Sequence, residues 1–221
     1  MSRAHILATL RAGLAAAPLD VSEPPARPAS LPIGPDAWKL LAAVLAPLDV
    51  RLRLAATPAE AAQHVADIAR ERQAASYTRW TEGLDSLGLD FSVLDAALAG
   101  LTRVSPACCQ ALAQVDMGLT FAQAALLDSG SLALVAGPGR ERAVSLLPPT
   151  HICLVPRSAL APDVSALPDL LRCHADVTGQ LPSCLNLVTG PSSTADIELV
   201  LVRGVHGPGA LEVLGLDWET A

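Results

Sequence analysis

The stretch from Asp49 to Trp80 constrains the fold more tightly than any other part of the sequence. From Asp49 to Leu54 the apolar residues Val50, Leu52 and Leu54 alternate with Arg51 and Arg53, the period-two pattern of a strand with one wet face. Thr57-Pro58-Ala59-Glu60 follows. A threonine cap, a proline at the first helical position and a glutamate three residues after the cap together mark a helix start. That helix is expected to reach about Arg72, and Ala75 to Trp80 reads as the next strand. Strand, capped helix, strand is the opening of a parallel α/β unit.

The rest of the chain extends this alternation. A helix from about Asp36 to Ala46 is stopped by Pro47. Asp85 to Gly100 reads as irregular helix and Ser105 to Ala113 as another. Val115 to Leu119 looks like a short strand, Phe121 to Leu127 a helix, and Ser131 to Ala136 and His151 to Val155 further strands. A helix from about Ser165 to His174 precedes three apolar runs, Leu185 to Val188, Leu199 to Val202 and Leu211 to Leu216. Short apolar strands broken by helices predict a three-layer α/β/α fold on a mostly parallel sheet. Apolar residues make up 51% of the chain but aromatics only 3%, so Ala, Leu and Val must fill the interior, as suits helices lying on a sheet. At the other end, Ile6, Leu7, Leu10 and Leu14 recur at helical spacing, and residues 18–34 contain five prolines. The expected organisation is an N-terminal helix and Pro-rich arm over 1–34, then one α/β domain over 35–221.

Composition removes several classes of function. The net charge is −7 and no run of Lys or Arg tracks a phosphate backbone, so no nucleic-acid partner is expected. Lys39 is the only lysine and follows no Gly-rich loop, which leaves no P-loop and no obvious Schiff base. No apolar run is long enough for a membrane span, and Arg11 interrupts what a signal peptide would need, so the cytoplasm is the expected location. The five cysteines (Cys108, Cys109, Cys153, Cys173 and Cys184) include no C-x-x-C, so neither a zinc ribbon nor an iron–sulfur cluster is called for. They are expected to be buried reduced thiols, with the vicinal pair Cys108-Cys109 open to a redox role. A lone Asp-Ser-Gly at 128–130 cannot supply the paired carboxylates of an aspartic protease. Nucleophile-elbow, H-E-x-x-H and G-x-G-x-x-G signatures are absent.

Three loops hold the residue types that chemistry needs. In Asp128-Ser129-Gly130-Ser131, the carboxylate and hydroxyls sit between a helix-like segment and an apolar strand. In the second, Gly190 to Glu198, Gly and Pro turn the chain after a strand, and Ser192, Ser193 and Thr194 precede a helix-like start at Asp196. Hydroxyls and free N–H groups there would hold a phosphate or carboxylate beyond the carboxyl end of a strand. The same residues read equally as an ordinary N-cap with acids favouring the helix dipole. The third, Gly204 to Gly209, carries His206 as a candidate acid–base or orienting group, or as a turn histidine bonded to backbone. His151 reads as a satisfied, partly buried histidine, whereas Arg140 and Arg142 are either solvated or reach an anion. Candidate catalytic residues are therefore Asp128, Asp196, Glu198 and His206, and candidate ligand-binding residues are Ser129, Gly130, Ser131, Gly190, Ser192, Thr194 and Gly207. No metal site and no cofactor are expected.

In this order the loops resemble the LUD-domain family, and specifically its lactate-utilisation C branch. The stretches that carry the resemblance are Met117 to Leu132, Arg142 to Val155 and Gly190 to Gly209, the last with TADIE and GVHGP. Ser193 stands where members often carry Lys or Arg, and Asp128-Ser129 stands for Glu or Asp followed by Thr. Grouped cysteines of longer relatives are lacking. The resemblance implies a Rossmann-like α/β/α sandwich like that of the sugar-phosphate isomerase and CoA-transferase group. It further implies an accessory role in oxidising L-lactate to pyruvate, beside separate iron–sulfur and cysteine-rich subunits. The alternative is a stand-alone enzyme or ligand-binding protein for a small phosphorylated or CoA-linked acid. There the hydroxyl-rich loop would hold the anion and Asp128, Asp196 or Glu198 would be the reactive carboxylate.

Overall fold

The computed structural model describes residues 2–16, 33–83, 87–195 and 201–218. The threonine cap forms as its spacing requires: the Glu60 N–H donates to Thr57 Oγ1 at 3.2 Å, and the Glu60 carboxylate reaches back to the Ala56 N–H at 2.8 Å. In chain order the elements are α1 (Arg3–Ala16), α2 (Ala37–Leu45), β1 (Arg51–Ala55), α3 (Pro58–Glu71), β2 (Ser76–Arg79), α4 (Phe91–Ala97) and β3 (Thr102–Arg103). Then come α5 (Cys109–Leu112), β4 (Met117–Phe121), β5 (Ala124–Leu126), β6 (Leu132–Val135), α6 (Ala143–Leu146), β7 (Thr150–Pro156) and β8 (Leu160–Ala161). The chain continues through α7 (Leu167–Thr178), β9 (Leu185–Val188), β10 (Ser193–Ala195), β11 (Leu201–Arg203) and β12 (Ala210–Leu216). Among the described residues no helix is long and apolar enough to cross a membrane.

The central sheet has six strands in the order β1-β12-β7-β4-β2-β3, and every neighbouring pair is parallel. β7 is buried along its whole length, as a strand covered on both faces must be. Register aligns Gly118, His151 and Leu211 across β4, β7 and β12, so these three share a face. There α6 lies so close that a Cβ on Gly118 would sit 2.0 Å from the Val144 carbonyl oxygen, and α2 presses Trp38 onto Gly215. The opposite face is covered by α3 and α4: Glu71 of α3 binds Arg51 and Arg53, and Asp95 of α4 binds Tyr77 and Arg79. The expected α/β/α layering on a mostly parallel sheet is therefore the observed one.

A second, four-stranded sheet, β8-β5-β6-β9, was not foreseen. It arises where a helix was expected from Phe121 to Leu127. Instead β4 runs to Phe121, and Ala124 to Leu126 pairs antiparallel with β6 and parallel with β8. Ala125, Leu132 and Leu134 point to the main core while Ala124, Leu126 and Ala133 meet Leu167 of α7. Burial on two sides overrides the helical preference of an Ala-rich run. The helices expected over 85–100 and 105–113 shrink to α4 and the single-turn α5. β1 is an edge strand rather than half-wet: Val50 precedes it and Leu54 is 42% exposed.

Candidate functional site

The signature loops meet on the face of the sheet that carries His151. The β5–β6 turn is closed by Gly130, at φ +70°, whose N–H donates to the Leu126 carbonyl at 2.8 Å. A Cβ at Gly130 would lie 3.0 Å from Leu45, so the turn is shut against α2. Within it the Ser129 hydroxyl donates to Ser131 Oγ at 3.0 Å, and Ser131 Oγ is 2.6 Å from Thr189 Oγ1, directly after β9. The first loop is thereby tied to the second. The Ser192 N–H donates to the Pro208 carbonyl at 2.8 Å and the Gly204 N–H donates to the Ser192 carbonyl at 2.9 Å, which ties the second to the third. Gly207 lies against Ser192: a Cβ there would come within 3.3 Å of the serine Cβ.

The second loop differs from its expected form. Ser193 to Ala195 is strand β10, paired antiparallel with β11, so Ser192 and Thr194 do not cap a helix. Among the described residues no helix N-terminus stands at these hydroxyls, so an anion held at Ser192 and Thr194 would rest on hydroxyl and N–H donors rather than on a helix dipole. Asp196 and Glu198 lie outside the described residues. The position differs too: the loop leaves the carboxyl end of β9 but docks on the amino ends of β7 and β12 in the main sheet.

Together with α6 the second and third loops line a cavity of about 200 Å³, with Ser145, His151, Gly190, Ser192, His206 and Gly207 among its lining and Leu146, Leu187 and Leu211 as apolar wall. His206 is exposed at the rim, whereas His151 is 1% exposed. The His151 Nε2 is 2.8 Å from Thr120 Oγ1, and its Nδ1 is buried without a hydrogen-bond partner among the described residues. Burial pushes the imidazole pKa down to about 4, so His151 is neutral near pH 7. Among the described residues neither Lys nor Arg lines the cavity. It is a hydrogen-bonding site with one apolar side, suited to a small molecule.

Of the other candidates, Asp128 is exposed on the β5–β6 turn and lies outside the cavity lining, as do Ser129, Gly130, Ser131 and Thr194. Arg140 and Arg142 line a separate cleft of about 660 Å³. The sequence had left His151, Thr120 and Ser145 without a role. Their signal is the alternation of β7, which puts His151 and Cys153 on one face, in register with Gly118 and Thr120. Nor do the cysteines all pack inside: Cys153 is buried, Cys184 intermediate, and Cys108 and Cys173 exposed.

Comparison with known proteins bears on these features. A DUF162 family protein from Deinococcus radiodurans shares the fold, with a TM-score of 0.59 over 82% of this chain and 97% of that chain at 19% identity. The Lactate utilization protein C of Halalkalibacterium halodurans is 47% identical over 95 residues, 43% of this chain and 41% of the relative. The protein of the same name from Bacillus subtilis is 43% identical over 95 residues, 43% of this chain and 40% of the relative. The matched part thus spans about two fifths of the length of these curated relatives. The LUD domain profile matches residues 42–214, which takes in β1 to β11 and all of β12 but its last two residues. By that match the chain belongs to the LUD domain family.

Proposed function

We propose that this chain works in the cytoplasm in lactate utilisation, as an accessory component of L-lactate oxidation to pyruvate beside separate iron–sulfur and cysteine-rich subunits. One observation carries the proposal. Two of the three stretches through which the sequence resembles the lactate-utilisation C branch line one cavity, through Ser145 and His151 and through Ser192 and Gly207, and the third stands behind it, with Thr120 hydrogen-bonded to His151. The names of the curated relatives supply the pathway. The lack of grouped cysteines in the sequence fits redox centres held by partner subunits.

The test is L-lactate-dependent dye reduction in extracts of lactate-grown cells lacking this gene. Loss of activity in the deletion, restored by the purified protein, is the expected result. Equal activity with and without the gene would overturn the proposal, and so would robust lactate oxidation by the isolated chain.

A second function, a ligand-binding protein in its own right, is favoured by the cavity itself. Its neutral His151, and the lack of Lys and Arg among the described lining residues, point away from a phosphorylated ligand at the signature loops and toward a small molecule with a hydroxyl or carbonyl group. A thermal-shift series of hydroxy and oxo acids checks this, with a saturable rise in Tm expected and none in Ser192→Ala.

A further inference from the structure

The carboxyl ends of the main sheet hold a different cavity, of about 240 Å³, lined by Arg79, Thr81, Arg103, Val104, Ser105 and Pro106. Arg79 is the last residue of β2 and Arg103 the last of β3, so the cavity opens where ligands of open parallel sheets bind. The Arg79 side chain is only 7% exposed. Its Nε and Nη2 donate to the two Asp95 oxygens at 3.1 and 2.9 Å, its Nη1 donates to the Trp80 carbonyl at 3.2 Å, and its guanidinium carbon lies 3.8 Å above the centre of the Phe91 ring. Arg103 also donates to Asp95, at 2.7 Å, and so does the Tyr77 hydroxyl, at 2.8 Å.

Asp95 is thus one carboxylate shared by two guanidiniums. Burial raises its pKa, but the hydrogen bonds from Arg79 and Tyr77 and the charges of both arginines outweigh this and hold it below the usual carboxylate range. It contributes one negative charge against two positive ones. Each guanidinium has five N–H groups; Arg79 directs three of them to Asp95 and Trp80, and Arg103 directs one to Asp95. Thr81 and Ser105 add hydroxyls to the lining, and no acidic residue is among the described residues that line the cavity. In a chain of net charge −7 this is a local positive excess, and one of its two guanidiniums is buried and stacked.

We propose that this cavity binds a small oxyanion, the carboxylate or phosphate group of a metabolite, with Arg79 as the buried guanidinium and Arg103 as the exposed one. Preorganised guanidiniums suit carboxylate and phosphate geometry. The site is separate from the His151 cavity, and the proposal stands whether or not the chain serves lactate utilisation.

The experiment is a thermal-shift titration of the full chain with sodium phosphate and, separately, sodium pyruvate, against sodium chloride at matched ionic strength. A saturating rise in Tm beyond chloride is expected with at least one of them, and which one responds identifies the group bound. Arg103→Gln, at an exposed edge position, is expected to weaken the apparent affinity at least tenfold. Ser105→Ala is expected to weaken it in the same direction, and Arg172→Gln, an ion-paired arginine on α7, to leave it unchanged. The proposal is overturned if neither anion exceeds chloride, if both cavity variants respond like the parent, or if Arg172→Gln loses as much as Arg103→Gln.

Discussion

His151 shows how strongly position on a strand can alter a side chain. Solvated, its imidazole would titrate near 6.5; buried, it titrates at about 4. Between those values the unfolded chain takes up a proton that the folded chain refuses, so stability rises with pH across this window and is lost as pH falls through it. The expected slope from this one group is about 1.4 kcal/mol per pH unit. Urea unfolding at several pH values measures it, and His151→Gln should flatten the dependence between 6.5 and about 4. The cysteines give a second check. Cys108 and Cys173 are exposed, while burial drives the Cys153 thiol pKa up to about 12. Alkylation of the native protein is expected to modify Cys108 and Cys173 promptly and Cys153 only on unfolding, as mass spectrometry of the digests will report. Neither property was legible in the residues alone. A histidine after two prolines and a scatter of thiols carry no mark of depth, and register across three strands decides it.

At the scale of elements, local signals were read well wherever they were strong. Thr57, Pro58 and Glu60 fixed the start of α3, and Pro47 ended α2 before the three-residue 3-10 turn Ala46–Leu48. Long apolar runs such as 151–155 and 211–216 became the inner strands β7 and β12. The failures share one cause, partners distant in sequence. Ala124 to Leu126 is a strand because β6 and β8 flank it, and Ser193 to Ala195 because β11 pairs with it. The signature residues themselves were visible as motifs, but their convergence depends on loops joined through Ser131–Thr189 and Ser192–Pro208. Gly118 offers the sharpest test of element packing, because a methyl group there would run into the backbone of α6. Gly118→Ala is expected to cost roughly 1–3 kcal/mol, the usual penalty for overpacking, and to lower the urea midpoint. Since α6 also supplies Ser145 to the cavity wall, the same change should weaken any ligand held there.

Across the whole molecule, α1 stands apart. Residues 2–13 are all exposed, including Ile6, Leu7 and Leu10, and the hydrogen bonds of Ser2 and Thr9 stay within the helix. We propose that the body over 35–221 folds without it. Removing residues 1–16 is expected to shift Tm by no more than about 2 °C, within the range of surface changes in a domain of this size. The body itself is closed differently. Among the described residues β1 pairs only with β12 in the main sheet, Arg51 opposite Glu212, so one edge of the sheet joins an early segment to a late one. During synthesis β1 and the capped helix after it emerge long before their neighbour exists, and Leu52 and Leu54 stay without a cross-strand partner until β12 has been made. Pairing over such distances belongs to the slow class of folding reactions, on the order of milliseconds to seconds. Refolding followed by tryptophan fluorescence should therefore show the Trp38 environment, which depends on Gly215 and Asp217, forming last. Until then the chain exposes an unpaired strand edge, and crowding of nascent copies is the point at which it is most prone to aggregate.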